Sequence, residues 1–132
     1  MSYHFSTVLK NIAFEEVISK VTNLLVAEGF GVLTDIDVKA TMKKRLDVDF
    51  KQYRILGACH PQTAYKAITL EDKIGVFLPC SIVVQQHEDN SVEVSAVDPI
   101  ASMMAVNNPE LADVAMFIQS KMKIFIEKLS AN

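Results

Sequence analysis

Residues 80–99 read "CSIVVQQHEDNSVEVSAVDP". Two apolar-rich segments, Cys80–His87 and Ser91–Val97, flank a polar turn containing Glu88, Asp89 and Asn90. Alternation on both sides of an Asp/Asn-containing turn is the signal of an antiparallel hairpin. The fold class depends on this stretch, because a hairpin near the C-terminal end commits the sheet to antiparallel pairing there. Downstream, Asp98-Pro99 closes the second strand, and Pro99–Val106 can form a helical turn holding Met103 and Met104. Asn108 then caps a final helix whose first residue is Pro109, with Glu110 and Asp113 at the positive end of its dipole. Leu111, Val114, Ile118, Met122, Phe125 and Leu129 form one apolar stripe. Met116, Phe117, Ile124 and Ile126 widen it beyond what a half-exposed helix needs.

Upstream, Tyr53–Cys59 is a mostly apolar strand. Pro61 can open a short helix running to about Thr69, since the N–H that proline lacks is not needed there. The segment "DKIGVFLP", residues 72–79, reads as an irregular connection. Nearer the start, Ser2–Leu9 alternates as a first strand. Asn11 offers an N-cap to a helix in which Phe14, Val17, Val21, Leu24 and Leu25 recur at helical spacing. Gly29 stops that helix. Phe30–Ile36 is a second strand, and 38–47 a short helix with Val38, Met42 and Leu46 four apart. Its Lys39, Lys43, Lys44 and Arg45 make a solvated face. The order is strand, long helix, four strands, long helix, with short helices inserted. It predicts an α+β sandwich: a mostly antiparallel sheet of about five strands with two long helices on one face.

At 132 residues the chain suits one domain over 1–132 with a single core. It is 50% hydrophobic and 22% charged, which marks a globular chain. The net charge of -3 argues against a nucleic-acid partner, which would call for a basic patch. No apolar run is long enough to span a membrane. The start, "MSYHFSTVLK", lacks the basic and apolar regions of a signal peptide, so a cytoplasmic location is expected, with reduced cysteines.

The two cysteines, Cys59 and Cys80, stand at the end of one strand and the start of the next. If those strands are antiparallel neighbours, both thiols lie at one end of the sheet. If parallel, they are a strand length apart. Pro61 makes His60 the N-cap of the following helix, so Cys59 precedes a helix N-terminus, where the dipole and a protonated His60 would favour a thiolate. Burial would oppose this. Cys59, His60 and Cys80 lack the spacing of a zinc site, and His4 and His87 join them only by assumption, so no metal or other cofactor is expected. Cys59 lacks an acidic residue to orient a histidine base, no glycine-rich phosphate loop is present, and Asp35, Asp37, Glu71, Asp72 and Asp98 form no acid/base pair. No recognised catalytic motif remains, and whether the chain is an enzyme stays open.

By alternation, Tyr53, Ile55, Gly57 and Cys59 share one strand face and Cys80, Ile82 and Val84 another, and both sets could face the helices. The opposite sheet face would then carry Arg54, Leu56 and Ala58, with Ser81, Val83 and Gln85, and with Glu93, Ser95 and Val97. That mixture suits a dimer interface or the floor of a ligand cleft.

"YRILGACHPQTAYKAI", "IGVFLPCSIVV" and "AVDPIASM" together combine a Cys-x-Pro after a strand (Cys59, Pro61), a Gly-x-x-x-Pro-Cys before the next (Gly75, Pro79, Cys80) and a later Asp-Pro (Asp98, Pro99). This pattern resembles the family catalogued as domain of unknown function 302, over nearly the whole chain. The resemblance implies a fold like that of the TATA-box-binding protein, commonly a dimer, and no established activity. Fold alone does not license DNA binding. The chain departs from the family pattern at His60 and Ser81, where asparagine is usual, and His60 places an imidazole beside the Cys59 thiol. The leading expectation is a non-enzymatic homodimer that binds a small molecule or partner at the cysteine end of the sheet, through Cys59, His60, Cys80 and Ser81. The alternative is a thiol redox or sulfur-carrier protein using Cys59 and Cys80.

Overall fold

The computed structural model describes residues 2–131. Five strands, β1 (His4–Leu9), β2 (Gly31–Asp37), β3 (Tyr53–Cys59), β4 (Cys80–Gln86) and β5 (Val92–Val97), make one sheet in the order β1-β5-β4-β3-β2. Every neighbouring pair is antiparallel. The hairpin that anchored the reading is present. Gln86 pairs with Val92, and Asn90 takes a positive φ of 70° in the turn. The Asp89 carboxylate there accepts from the Ser91 N–H at 2.9 Å and from its hydroxyl at 2.6 Å.

Two long helices, α1 (Phe14–Ala27) and α5 (Ala112–Ser130), cover one face of the sheet. Phe14, Val17, Ile18, Val21 and Leu25 are the buried stripe of α1, and Ile118, Met122, Phe125 and Leu129 that of α5. They meet Leu9, Leu56, Ala58, Ile82, Val84, Val92, Val94 and Ala96 from the strands in one core. Fully burying an aliphatic side chain of this size is worth about 1.5–3 kcal/mol, so this layer supplies most of the driving force. Met116, Phe117 and Ile124, which widened the stripe in the sequence, stay exposed, whereas Ile126 is buried.

The inner face of β3 is not the one that its alternation suggested. Arg54 pairs with Val84, Leu56 with Ile82 and Ala58 with Cys80, so Arg54, Leu56 and Ala58 share the helix-covered face, and Tyr53, Ile55 and Gly57 the open one. Two causes misdirect the pattern. The strand is apolar in both phases, and the inner face carries an arginine. The Arg54 guanidinium sits where that face meets solvent. There it donates to both Asp35 oxygens and, at 3.1 Å, to Glu15 on the first turn of α1. This ion pair holds the Asp35 carboxyl below its usual range, mainly through the hydrogen bonds from Arg54.

Asn11 does not cap α1. It adopts a positive φ of 60°, a turn conformation that Asn tolerates, and Ala13 occupies the cap position without a side-chain bond. The other end of α1 follows the sequence closely. Gly29 takes φ 90°, its N–H bonds to Val26 and the next N–H, of Phe30, to Leu25. This is a complete Schellman closure, and it turns the Phe30 ring inward.

Three short helices fill the connections: α2 (Val38–Leu46), α3 (Pro61–Leu70) and α4 (Pro99–Met103). The α2 helix is solvated and is capped by Asp37, whose side chain accepts from Ala40 at 3.0 Å. The stretch expected to be irregular folds into a 3₁₀ helix, Asp72–Phe77, followed by a cis Leu78–Pro79 bond. A second 3₁₀ turn, Pro109–Leu111, carries the Asn108 cap and leads into α5. These connecting segments build a smaller apolar cluster of Ala67, Ile74, Leu111 and Val114, with Leu70, Leu78, Met103 and Val106 packed on it.

Candidate functional site

Between the main core and the smaller cluster lies an apolar cavity of about 260 Å³. The ends of β3 and β4 supply Ala58, Cys59, Pro79 and Cys80, and α3 supplies Thr63, Ala64, Ala67 and Ile68. Phe30 and Leu33 come from the start of β2, Leu78 from the crossover, Met103 from α4, and Val114 and Ile118 from α5. Leu33 is 66% exposed and Ile68 45%, so the cavity opens to solvent on their side. Topology explains the position. Where β3 and β4 could have been joined by a tight turn, residues 60–79 intervene as helix and loop, and loops at strand ends are where sites are commonly built.

The antiparallel β3–β4 pairing puts both cysteines at one end of the sheet, and both line the cavity as free thiols. Cys80 is buried, and burial, then the neighbouring Cys59, pushes its pKa up to about 11. It is therefore a neutral thiol at physiological pH. Cys59 is half-buried.

His60 is the N-cap of α3 but makes no side-chain cap bond. Its Nδ1 instead lies 2.8 Å from the Thr63 hydroxyl. The ring is held edge-on between Phe30 and Phe117, at 5.4 and 5.3 Å between centroids. Its Nε2 crowds Gly29, since a Cβ there would sit 3.0 Å away, tighter than an ordinary contact. Desolvation first, and then the positive Lys121, lower the His60 pKa below its ordinary value. Both effects favour the neutral imidazole and so weaken the help that a protonated His60 would give the Cys59 thiolate.

Ser81 does not join this group. It is exposed and faces the open side of the sheet, where a shallow hollow is lined by Tyr3, His4, Tyr53, Val83, Gln85, Glu93 and Ser95. Thr63, Phe30 and Met103 are among the cavity residues that sequence reasoning missed. Of these only Thr63 left a signal, three residues after the His60 cap. Neither of the two other histidines lines the cavity: His4 meets Ser6 at 2.8 Å, and His87, just past β4, meets Glu93 at 2.8 Å. Among the described residues, no group of three or more His, Cys, Asp or Glu side chains could hold a metal ion. No helix among them is long and apolar enough to cross a membrane.

Comparison with known proteins bears on the whole of this arrangement. The family model described as "Domain of unknown function DUF302" matches residues 5–129. The crystal structure of an uncharacterized conserved DUF302 protein from Bacillus stearothermophilus superposes with a TM-score of 0.88 at 25% identity, covering 98% of this chain and 99% of that one. Curated proteins give no match.

Proposed function

The chain belongs to the DUF302 family, and from that premise and the cavity we propose that it is a non-enzymatic protein binding a small apolar molecule at the cysteine end of its sheet. One observation carries the reading. An open cavity of about 260 Å³, lined almost wholly by apolar side chains, separates two hydrophobic clusters that could otherwise have closed on each other. Cavities of roughly 150 Å³ lined this way take up benzene, and ligand pockets usually begin near 300 Å³. A ligand of one ring, or a short branched chain, fits that range.

The test is a titration with toluene, followed by ¹⁵N–¹H chemical shifts and by thermal unfolding. Binding to the folded state raises Tm by mass action, and the shifts are expected at Cys59, Thr63 and Ala67. Ala64→Leu, which fills the cavity from α3, should abolish both effects. An unchanged Tm with no perturbed amide near the cavity refutes the reading.

The open sheet face supports a homodimer as part of the same proposal. Val8 and Ile36 are each 49% exposed on it, beside Tyr53, Ile55, Val83 and Val97. Light scattering should then give twice the chain mass of 14.7 kDa, and a monomer at working concentration refutes this part. A thiol redox or sulfur-carrier role has less support, because burial holds Cys80 neutral and desolvation of His60 disfavours a charged imidazole beside Cys59. Mass spectrometry after purification without reductant would revive it by showing a persulfide or a Cys59–Cys80 bond.

A further inference from the structure

We infer that Cys59 and Cys80 form a two-thiol site for a trivalent organic arsenical, whose arsenic bridges the two sulfurs while its organic group occupies the apolar cavity; for that group the inference rests on the apolar-pocket reading above. The chain has two cysteines, and the fold brings both to one place. β3 ends at Cys59 and β4 begins at Cys80, and Cys80 pairs with Ala58, the residue before Cys59. Both line the cavity as free thiols, although Cys80 is only 7% exposed. They are near enough that Cys59 adds to burial in raising the Cys80 pKa. A disulfide demands a narrow range of separations. A bridge through arsenic interposes one more atom and spans a wider gap.

Charge balance selects the ligand. None of the residues lining the cavity is Asp, Glu, Lys or Arg, and the nearby Lys121 is engaged by Glu28 at 3.4 Å. A complex held there must be uncharged, because an unpaired charge away from water is strongly unfavourable. Two thiols lose two protons on binding, so the bound centre must offset two negative charges. A singly charged soft ion such as Cu(I) leaves one negative charge over. Zinc balances the charge but takes four ligands in a structural site, and among the described residues no three His, Cys, Asp or Glu side chains converge to hold a metal. A mercuric ion also balances, but it leaves the walls beyond the sulfurs without contacts. Inorganic arsenite has three bonds to satisfy, and only two thiols are present. Trivalent arsenic that already carries one carbon substituent needs two sulfurs, ends uncharged, and brings an apolar group to Phe30, Ala67 and Ile118. A phenyl group suits the space, since apolar cavities of roughly 150 Å³ accept benzene. The step balances without an oxidant. The bonds from arsenic to its oxide oxygen break, two arsenic–sulfur bonds form, and the two thiol protons leave with that oxygen as water. Cys80, with its pKa pushed up to about 11, still holds the proton that this step uses.

Phenylarsine oxide titrated into the intact, reduced protein tests this by mass spectrometry, calorimetry and alkylation after unfolding. The expected product carries one phenylarsenic group per chain and has lost two thiol hydrogens. Both cysteines should then resist N-ethylmaleimide, and ethanedithiol should release the group where equimolar 2-mercaptoethanol does not. Cys59→Ser should weaken capture by about a hundredfold or more, because the second, tethered ligand is gone. Cys80→Ala should do the same, with thermal unfolding used to establish that each variant is folded. The 4-carboxyphenyl analogue should bind at least about tenfold more weakly than the phenyl compound, since its charge would enter the cavity. An adduct on one thiol alone, or a folded Cys59→Ser variant that binds as tightly as wild type, would overturn the two-thiol site while toluene binding still upheld the pocket. Equal affinity for the carboxylated analogue would overturn the placement of the organic group. Two-thiol capture in a protein that binds no toluene would refute the pocket reading and leave the thiol pair standing.

Discussion

Raising the pH from 8 to 11 perturbs the Cys80 thiol selectively enough to measure how dry its end of the cavity is. In the unfolded chain that thiol titrates near its ordinary value of 9.0, whereas in the fold burial and then the adjacent Cys59 hold it at about 11. Between these values the unfolded state releases a proton that the folded state keeps. The raised pKa therefore contributes stability that is complete below about 9 and is lost as the pH rises through 11. At about 1.4 kcal/mol for each tenfold change in proton concentration, the interval corresponds to about 3 kcal/mol. With a urea dependence of about 1–3 kcal/mol per molar, the midpoint should fall by about 1–3 M across that range.

Other groups titrate in alkali, so the quantity to read is a difference. Wild type and Cys80→Ala are unfolded in urea with a phosphine reductant at half-unit pH steps. The variant loses stability at pH 8, because a buried atom is gone, but it should lack the Cys80 contribution to the alkaline slope. The two curves then converge as pH approaches 11. Parallel curves from pH 8 to 11 would refute the reasoning. They would mean that Cys80 is hydrated through the cavity mouth, and that its exclusion as a thiolate nucleophile no longer holds.

Three further outcomes follow from the same geometry. Gly29→Ala forces a side chain into φ 90° and against the His60 ring, and should cost about 1–2 kcal/mol; thermal unfolding against wild type checks this. Gly57→Ala places a Cβ 2.6 Å from the Pro79 ring as well as against Thr34, and overpacking of about 1–3 kcal/mol should appear as a lowered urea midpoint. The Glu28 carboxylate is covered by the fold and held below its ordinary pKa, chiefly by Lys128 and then Lys121, so its contribution is present above about pH 4.5 and lost as the pH falls through the folded value. The loss of stability below pH 4.5 should therefore be shallower in Glu28→Gln than in wild type, and identical acid profiles would refute it.

How much of this was legible in the sequence depends on the element. Strands announced by alternation and helices announced by an apolar stripe emerged with boundaries shifted by a residue or two. The Gly29 stop and the Asn108 cap were readable because one residue type fits each geometry. The face of β3 was not readable, because "YRILGAC" is apolar in both phases and Arg54 marks the inner one misleadingly. The 3₁₀ helix at Asp72–Phe77 left no periodic trace, since two short turns with one buried side chain, Ile74, have none. Within the site, Cys59, His60 and Cys80 were singled out together and do share a cavity. Ser81 was drawn in as a departure from the family pattern next to Cys80, and in a strand the next residue points to the other face.

The cavity itself could not have been read from any local pattern, because it is a consequence of where two insertions leave the sheet. β3 ends, β4 begins and β5 ends at the same edge of the molecule. The chain leaves that edge twice, through residues 60–79 and through the segment from Asp98 to Leu111. Each excursion is too short to build a core of its own, and together they make the small cluster around Ala67, Ile74 and Leu111. The two are tied to each other by the Asn108 side chain, which donates to the Leu70 carbonyl at 3.1 Å and to Glu71 at 3.3 Å. Asp98 and Gln119 tie the second excursion to α5. These polar ties hold the small cluster beside the main core without requiring the two apolar surfaces to interdigitate, and the space left between them is the cavity. Native interiors rarely retain a gap of that size unfilled. Its apolar walls and its opening beside Leu33 and Ile68 are the features on which the proposed binding role rests.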